Sequence, residues 1–593
     1  MWAPDGTKYT FGSAGFSNGV AWVRNTGSCS QQTREAHLTE VLDPHGNKVS
    51  LTYATETDKN IICGGTTQNY VRAIRPTRIE YFAATEPLAT VRVDFAYVTR
   101  NDTGVPGRDD LYVEAFYSDW RLQTVTVKVR NGTPADAFAT VRSYALSQDY
   151  LWQDQAAGKG LLRLTGITEQ GRDGGALPVW SFTYTTFNGW LNHTLLATAN
   201  NGQGGQVAYA YANVSNIWME GCGENTSRYR VSQIDAADGL GSQAANVTRT
   251  VYDHQNPWAR TGAGAPACPD FEFGGYTFVR SELQDGAASR YRVVDTYYHQ
   301  RTGNELDPRK GKAYLSVTSS QPGSGELARG ATTWITSTVK AATWVAKADE
   351  TNTLGGSAQK TTYAYDTARQ NGAQYGNVTH VREYSDSGAT LYRTRERWYY
   401  PNNVAGSTYI VNRVAQEKLW QGNVGGNCQA HTRYIYDNPQ NGWMAAPTRG
   451  DLVKQRQETS ICDDTGTDAG WLTAFYGYDG WGNRIAVTYT LTHTTLTAYD
   501  TSGNWPKLYA YPISETLPAV NGLSLTTVYA WDKVLGQVTS VTDPNNVVTS
   551  YVYDEFGSQL KLIKPGDDTT NPTVKLSYNN YAEIGRASCR ERV

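Results

Sequence analysis

Apolar and polar residues alternate along most of the chain with a period of two. In "SYVYDEFGSQLKLIKPGDD", residues 550–568, Tyr551 and Tyr553 stand two apart, and "QLKLI" alternates in the same way. Residues two apart point to one face of a β-strand, so both runs predict strands. Between them, Asp554 can accept hydrogen bonds from the backbone N–H groups of a turn, and Gly557 permits the positive φ that closes it. The unit therefore predicts a β-hairpin.

Versions of this unit recur in the second half of the chain, in "TYAYDTARQNGAQYGNVTHV", "RYIYDNPQNG", "FYGYDGWGNRIAVTY" and "VYAWDKVLGQVTSVTDPNN". The spacing from Asp532 to Asp554 is 22 residues, the spacing from Asp437 to Asp479 is 42, and other intervals are irregular. A period of about 20 residues indicates supersecondary units that bury their faces by stacking on their neighbours. The predicted structural residues of the motif are Tyr363, Tyr365, Asp366, Gly376, Tyr434, Tyr436, Asp437, Tyr476, Tyr478, Asp479, Gly482, Asn483, Tyr529, Asp532, Gly536, Tyr551, Tyr553, Asp554 and Gly557.

The choice of tyrosine indicates what kind of sheet the units build. A tyrosine ring packs on one side while its hydroxyl reaches water or a polar partner, whereas leucine would require a dry core. Aromatic cross-strand pairs contribute about 0.2–1 kcal/mol each. We therefore predict an all-β protein with little helix. Its stacked β-hairpins form an extended, curved antiparallel sheet, and tyrosines form cross-strand ladders from unit to unit.

Four regions follow from the pattern. Residues 1–214 alternate strands with turn signals such as "DPHGN", and residues 215–360 are a looser β region with long Gly-, Pro- and Ala-rich loops. Residues 361–583 hold the Tyr-Asp repeats. The last ten, "IGRASCRERV" at 584–593, resemble a translated sequencing adapter. We expect this segment to be a scar rather than native sequence, and the natural chain to continue past Glu583.

Composition supports this picture and excludes some functions. The 593 residues exceed what one core usually serves. Charged residues make up 18% and the net charge is −3, which disfavours a disordered acidic tail and a nucleic-acid-binding surface. The 40 tyrosines and 17 tryptophans suit a pleated sheet. No run approaches the length of a membrane-spanning segment, so we expect no membrane span.

Six cysteines remain when Cys589 is set aside with the terminal segment. They fall into three neighbouring pairs, which suits local disulfides and an oxidising compartment. Six buried free thiols are the alternative, because free cysteine is commonly buried. The candidate pairs are Cys29 with Cys63, Cys222 with Cys268, and Cys428 with Cys462.

Catalytic and metal-binding patterns are missing from the sequence. The eight histidines are scattered without H-x-x-x-H or H-E-x-x-H spacing, and no G-x-S-x-G elbow occurs. We therefore predict no catalytic residue, no cofactor and no metal site, and a chain that is not an enzyme.

Two alternatives from other functional classes stay open at this point. A cell-surface carbohydrate-binding or adhesion module would use exposed tryptophans for stacking on sugar rings, and Trp443 and Trp481 stand at turns in "NGWM" and "DGWGN". Burial between packed wall strands is the competing explanation for both. A β-propeller glycosidase would need two carboxylates about 5–10 Å apart in a cleft, and nothing in the sequence singles out such a pair.

The units "YAYDTARQNGAQYGNVTHV", "YGYDGWGNRIAVTY" and "YVYDEFGSQLKLI" resemble the RHS/YD-repeat family, whose signature is Tyr-x-Tyr-Asp, then Gly-Asn or Gly-Arg, then a strand. "WAPDGTKYTFG", "DPHGNKVSLTY" and "LPVWSFTY" are similar to the regions that precede these repeats in large bacterial RHS proteins and in insecticidal-toxin B-type subunits. The resemblance is strong over 361–583 and covers most of the chain.

The resemblance implies a function as well as a fold. Family members form a hollow β-shell, a strand ribbon that spirals into a cocoon around a C-terminal effector, commonly a toxin. Complete members carry an autoproteolytic core segment, which has no counterpart in this sequence. The expected partners are an effector domain of the same chain, other secretion or toxin-complex subunits, and surface glycans. The expected location is secreted or on the bacterial cell surface.

Overall fold

A computed structural model gives the structure of the protein. It describes residues 1–12, 18–24, 30–63, 66–101, 118–132, 137–154, 159–186, 194–218, 225–239, 247–259, 273–302, 305–339, 342–366, 375–385, 388–400, 409–440, 444–459, 462, 470–489, 492–503, 506–578 and 590–591. Strands are the only regular elements in these ranges apart from single-residue bridges and short turns. This confirms the prediction of an all-β protein.

The strands of the first half of the chain are β1 (Lys8–Phe11), β2 (Val20–Arg24), β3 (Gln31–Ala36), β4 (Leu38–Leu42), β5 (Lys48–Cys63), β6 (Thr66–Phe82), β7 (Val91–Thr99), β8 (Trp120–Arg130), β9 (Phe138–Asp154), β10 (Lys159–Gly171), β11 (Trp180–Thr186), β12 (Thr194–Asn200), β13 (Gln206–Trp218), β14 (Asn225–Ala237), β15 (Val247–Ala259), β16 (Phe273–Asp285), β17 (Arg290–Tyr298), β18 (Arg301–Thr302), β19 (Glu305–Leu306) and β20 (Ala313–Ser319).

Those of the second half are β21 (Glu326–Val339), β22 (Ala342–Leu354), β23 (Ser357–Tyr365), β24 (Val378–Ser385), β25 (Thr390–Tyr399), β26 (Val414–Gln421), β27 (Asn427–Tyr436), β28 (Leu452–Glu458), β29 (Trp471–Tyr478), β30 (Arg484–Tyr489), β31 (Thr494–Tyr499), β32 (Pro512–Val520), β33 (Leu523–Asp532), β34 (Gln537–Thr542), β35 (Val548–Tyr553), β36 (Gln559–Ile563), β37 (Val574–Lys575) and β38 (Arg590–Glu591).

A single antiparallel sheet of 34 strands runs through the described chain. From β5 onward, strands pair with the strand before them and the strand after them in chain order, apart from the β18–β19 hairpin. Two short hairpins do not take part in this consecutive pairing. The β2–β3 hairpin is left out, so β1 pairs with β4, and the β18–β19 hairpin is left out, so β17 pairs with β20. Consecutive pairing produces one long ribbon. Separate radial blades, as in a propeller, are not its arrangement.

Because consecutive strands are antiparallel, the connections fall alternately on the two long edges of the ribbon. We call the edge that holds the β4–β5, β6–β7 and β10–β11 connections the first rim, and the opposite edge the second rim. All five Tyr-Asp turns lie on the second rim, since they follow β23, β27, β29, β33 and β35. One repeat unit therefore spans two strands, as the spacing of the motif predicts.

A β-bulge or register shift precedes the second aromatic residue of the Tyr-x-Tyr pattern. Such shifts lie between Ala364 and Tyr365 and between Val552 and Tyr553. A bulge bends its strand and increases the local twist, so regular bulges curve the ribbon. The same feature precedes Tyr53, Tyr97, Tyr184, Tyr211, Tyr399, Tyr436, Tyr478, Tyr499 and Trp531.

Most of these aromatic residues donate a side-chain hydrogen bond to the backbone of the previous strand. Tyr553 Oη donates to the carbonyl oxygen of Val538 at 2.8 Å, and Tyr365 Oη donates to that of Lys347 at 2.8 Å. Trp531 uses its indole N–H in the same way and also stacks on Tyr511, with ring centroids 4.8 Å apart. The hydroxyl bonds to the backbone were not predicted by the sequence pattern.

The ribbon buries little of its surface. Its accessible surface is 32144 Å², whereas a compact protein of 65.3 kDa exposes about 21,000 Å². The hydrophobic core cluster of the described residues holds Ala21, Tyr70 and Val71, where the β2–β3 hairpin packs on β6. Most other strands keep both faces partly exposed, so the sheet forms an extended wall with two solvent-exposed faces rather than a compact globular domain.

Candidate functional site

The curved ribbon returns to itself and makes contact along its rims. First-rim connections between residues 43 and 176 meet second-rim connections between residues 437 and 558, and we call this line of contacts the seam. The residues joined across it lie 360 to 434 positions apart in sequence. Near its start, Val411 donates its backbone N–H to the carbonyl oxygen of Pro4 at 2.9 Å. The seam therefore joins successive coils of the ribbon to each other.

The aspartate of each short Tyr-Asp turn organises the backbone that enters the seam. Asp479 Oδ1 accepts the N–H groups of Trp481 at 3.0 Å and Asn483 at 2.9 Å. Asp554 and Asp43 accept N–H groups two and four residues ahead with the same geometry. A carboxylate held by two N–H donors keeps the turn in a single conformation, which fixes what the turn presents to the opposite rim.

In the longer turns the aspartate is kept, but more residues separate it from the glycine whose N–H it accepts. Asp366 accepts the N–H groups of Gly376 at 2.9 Å and Asn377 at 3.1 Å, ten and eleven residues ahead. Asp437 accepts from Gly450 at 2.8 Å, thirteen residues ahead. Insertions between the aspartate and its glycine therefore account for part of the irregular spacing of the motif.

Asparagine, histidine and tryptophan side chains make the contacts across the seam. Asn47 Nδ2 donates to the carbonyl oxygen of Trp481 at 3.0 Å, and the indole N–H of Trp481 donates to that of Ala84 at 2.9 Å. His45 Nε2 lies 2.8 Å from Asp451 Oδ1, and both side chains are largely buried. Each rim thus satisfies polar groups of the other.

A charged and aromatic cluster continues the seam. The ring of Trp481 stacks on Tyr509 at 4.1 Å with 9° between the planes. Tyr509 Oη donates to Glu86 Oε1 at 2.5 Å, and Lys507 Nζ lies 3.2 Å from the same carboxylate. Burial and the bond to Glu86 raise the pKa of Tyr509 to about 12. The phenol therefore stays a donor at all physiological pH values.

The next part of the seam uses different residues in the same way. Arg172 Nη1 lies 2.7 Å from Asp532 Oδ2, and Glu555 Oε2 accepts the N–H of Gly175 at 2.9 Å. Burial would raise the pKa of the Asp532 carboxyl, but the N–H of Leu535 and the Arg172 guanidinium together lower it. Asp532 is thus a charged acceptor in the seam.

A cleft of about 670 Å³ lies between the two coils. Its walls are mostly apolar and include Val49, Phe82, Val91, Tyr509, Tyr511 and Leu535. Lys533 also lines the cleft and pairs with Asp500, and burial lowers the pKa of its ammonium group. In the ranges that the structure describes, no three side chains are grouped to hold a metal ion.

The structure brings most of the predicted motif residues to one edge of the ribbon. The aspartates and glycines of the five units all lie at second-rim turns, while the tyrosines precede them in the strands. Of the five Tyr-Asp turns, those after β27, β29, β33 and β35 contribute to the seam contacts described above, and the turn after β31 adds Lys507 and Tyr509. Trp481 lies in the seam, and Trp443 lies outside the described residues.

One of the three cysteine pairs can be placed. Cys428 and Cys462 lie side by side, with Cα atoms 5.9 Å apart, a separation that suits a disulfide. Cys29, Cys222 and Cys268 lie outside the described residues, as does the side chain of Cys63. The other two pairings therefore stay predictions.

Several seam residues were not found by sequence reasoning. Glu86, Arg172 and Glu555 belong to no repeated motif, and His45 was counted among the scattered histidines. The "DPHGN" and "DGWGN" turns were recognisable, and their shared asparagine, Asn47 and Asn483, was the available signal. Asn483 Nδ2 donates to the carbonyl oxygen of Tyr509 at 2.6 Å, the counterpart of the Asn47 bond.

A ribbon of hairpins that coils and closes on its own rims defines a coiled-sheet repeat protein. Comparison with known proteins makes this class specific: residues 525–569 match the RHS repeat family. None of the curated proteins compared matches the sequence. In the described part of the chain, no helix has the length and hydropathy needed to cross a membrane.

Solved structures share the fold over nearly the whole chain. A crystal structure of TcdB2-TccC3 matches with a TM-score of 0.66 and 10% identity, covering 98% of this chain and 52% of that one. TcdB2-TccC3-TEV matches at 0.64 and 9%, covering 99% and 50%. A Tc holotoxin pore from Photorhabdus luminescens matches at 0.61 and 9%, covering 95% and 49%.

The chain therefore contains an RHS repeat and has the fold of the TcdB2-TccC3 structures, as the Tyr-Asp motifs predicted. It spans about half the length of the chains that it matches.

Proposed function

We propose that the protein is a non-enzymatic structural scaffold, part of a hollow RHS-type β-shell that encloses and delivers a toxin or effector domain. The observation that carries this proposal is the seam. A flat ribbon can bind a partner only on an open face, whereas a ribbon whose rims meet after 360 to 434 residues can surround one.

The surface area and the sheet topology support the proposal. An accessible surface about one and a half times that of a compact protein of this mass fits a wall with two exposed faces. Consecutive pairing leaves the long edges as turns rather than as open strand edges, which protects a large sheet from pairing with other chains. Both features suit a container more than a ligand-binding module.

Trp481 favours the scaffold over glycan binding. One face of its ring is covered by Tyr509, and its indole N–H donates a hydrogen bond to the carbonyl oxygen of Ala84. A tryptophan that stacks on sugar would present that face to solvent. The proposed partners are accordingly an enclosed effector domain of the same polypeptide and other toxin-complex subunits, and the proposed location is secreted or on the cell surface.

Electron microscopy of the purified chain, combined with a protection assay, tests the proposal. We expect curved or ring-shaped particles with a low-density interior, and a small reporter domain fused to the C-terminus should resist protease that digests the free reporter. A reporter fused to the N-terminus serves as the matched control. Solid particles, or equal digestion of both fusions, would contradict enclosure.

A further inference from the structure

A row of polar side chains crosses the sheet at β24 to β28 in a buried setting. His380 stands opposite Glu396, Glu396 opposite Lys418, and Lys418 opposite His431. Glu458 of β28 continues the row. The side chain of His431 is 0% exposed and that of Glu458 is 1% exposed, which is exceptional in a wall with two open faces.

His431 and Glu458 bind each other in this dry site. His431 Nδ1 lies 2.7 Å from Glu458 Oε2, and we place the proton on Nδ1 because a carboxylate only accepts. The ring of Trp471 meets that of His431 edge-on at 4.9 Å. Glu458 Oε1 and Trp471 Nε1 are buried, and neither has a hydrogen-bond partner among the residues that the structure describes. Because the side chains of His431 and Glu458 are both removed from water, a positive charge on the imidazole would be poorly solvated here.

The charges that face His431 come from each neighbouring strand. Lys418 faces it from β26, Glu458 from β28, and Arg433 from its own strand. Arg456 of β28 lies over the ring of Trp471, 5.0 Å from its centroid. Burial lowers the pKa of His431, and Lys418 and Arg433 lower it further, whereas the hydrogen bond that His431 donates to Glu458 raises it. The imidazole is therefore neutral at neutral pH.

We propose that His431 and Glu458 form an acid-sensitive latch that holds β27 to β28 and opens when His431 takes up a proton. The connection between these two strands is the second-rim turn that carries Asp451, the partner of His45 in the seam. Loosening β27 and β28 frees this turn. The latch thus couples acidification to the opening of one end of the seam.

The direction of the pH effect follows from linkage. A group whose pKa is lower in the folded state than in the unfolded state contributes stability above its unfolded pKa, and this stability is lost as the pH falls through the folded value. For His431 the loss begins at the ordinary value of 6.5 and proceeds toward lower pH. One proton uptake makes opening up to about tenfold more favourable per pH unit in that range.

Hydrogen exchange measured by mass spectrometry at pH 7.5, 6.5 and 5.5, corrected for intrinsic rates, tests the latch in the full chain. We expect peptides of β27–β29 to lose protection by up to about tenfold per pH unit below 6.5. The variant His431→Asn keeps an N–H donor but cannot become charged, so its protection should not fall with acid. His493→Asn, at an exposed histidine, should behave like the wild type.

A second variant keeps the test decisive if His431→Asn does not fold. Glu458→Gln removes the charge that partly stabilises an imidazolium, so its acid-induced loss of protection should be larger than in the wild type and extend to lower pH. A smaller loss would identify the carboxyl as the acid-sensitive group and overturn the proposal. Unchanged or increased protection of wild-type β27–β29 at pH 5.5 would overturn it as well.

Discussion

The two tyrosines of a repeat unit differ in the hydrogen bonding of their hydroxyl groups, although they occupy equivalent positions in the alternating pattern. Tyr553 follows a bulge and donates its hydroxyl to the backbone of the preceding strand, whereas no hydrogen bond of the Tyr551 hydroxyl is found within the described chain. Tyr53, Tyr97, Tyr365 and other second aromatics repeat the bond. The hydroxyl of the second tyrosine therefore links two adjacent strands through a side-chain hydrogen bond to the backbone.

This difference predicts unequal effects of two matched substitutions. Tyr553→Phe should lower the local stability of β34–β36 by about 1 kcal/mol, because it leaves the carbonyl oxygen of Val538 without its donor. Tyr551→Phe should change it by less than about 0.5 kcal/mol. Hydrogen exchange of peptides from 537–563 measures both. Equal effects would show that the hydroxyl bond contributes nothing specific.

At the scale of the element, the hairpin depends on its aspartate. Asp479 accepts two backbone N–H groups and the side-chain amide of Asn483 at 2.8 Å. Without that acceptor the turn loses three hydrogen bonds while the strands keep their pairing. The motif thus specifies the turn more than the strand.

Replacing Asp479 tests this directly. Asp479→Ala should destabilise β29–β30 by about 1–3 kcal/mol, since partly buried N–H groups lose their acceptor. Asp479→Asn keeps one acceptor oxygen at that position and should cost less. Local exchange rates of 471–489 are the measurement, and an alanine variant as protected as the asparagine variant would argue against the turn as the source of stability.

Glycine at the turn serves both the element and its place in the seam. Gly482 has φ +91° and an added Cβ would lie 3.0 Å from the ring of His45, whereas Gly503 has φ +73° and open space around it. Both Gly482→Ala and Gly503→Ala should cost about 1–2 kcal/mol for the left-handed backbone. Only Gly482→Ala should also increase exchange in residues 43–47 on the opposite rim. The same exchange there in both variants would contradict the close approach.

At the scale of the whole molecule, contacts between distant residues hold the coils together. Among the described residues, the only backbone pairing between the coils is a single bridge of Asp5 with Ile410 near the start of the seam. The other seam contacts involve side chains at the turns, such as those of Glu86 with Lys507 and Tyr509. Such a joint is weaker than the sheet and can open while the strands stay paired.

The Tyr509–Glu86 bond gives this joint a pH limit on the alkaline side. The pKa of the phenol is raised to about 12 in the folded state, against 10.0 ordinarily. The contribution of this bond to folding stability is therefore complete below pH 10 and is lost as the pH rises toward about 12. At pH 8, Tyr509→Phe should melt at a lower temperature than the wild type. The difference should shrink above pH 10 and vanish near pH 12. Tyr489→Phe, at a 58% exposed tyrosine, is the control and should show no such difference.

The sequence by itself determined the repeating element. A period-two pattern, tyrosines two apart, an aspartate and a following glycine are local features, and local geometry alone makes them a hairpin with an ordered turn. The placement of all five Tyr-Asp turns on one rim also follows from the sequence, since a unit with two strands returns to the same edge.

Only the tertiary structure decided which turns meet. The partnership of His45 with Asp451 or of Arg172 with Asp532 depends on curvature that accumulates over hundreds of residues, one bulge at a time. No local pattern encodes that sum, and the residues concerned belong to different turns with no shared motif. Burial of His431 and Glu458 is likewise a property of the folded wall, because polar residues in an alternating strand carry no sign of what covers them.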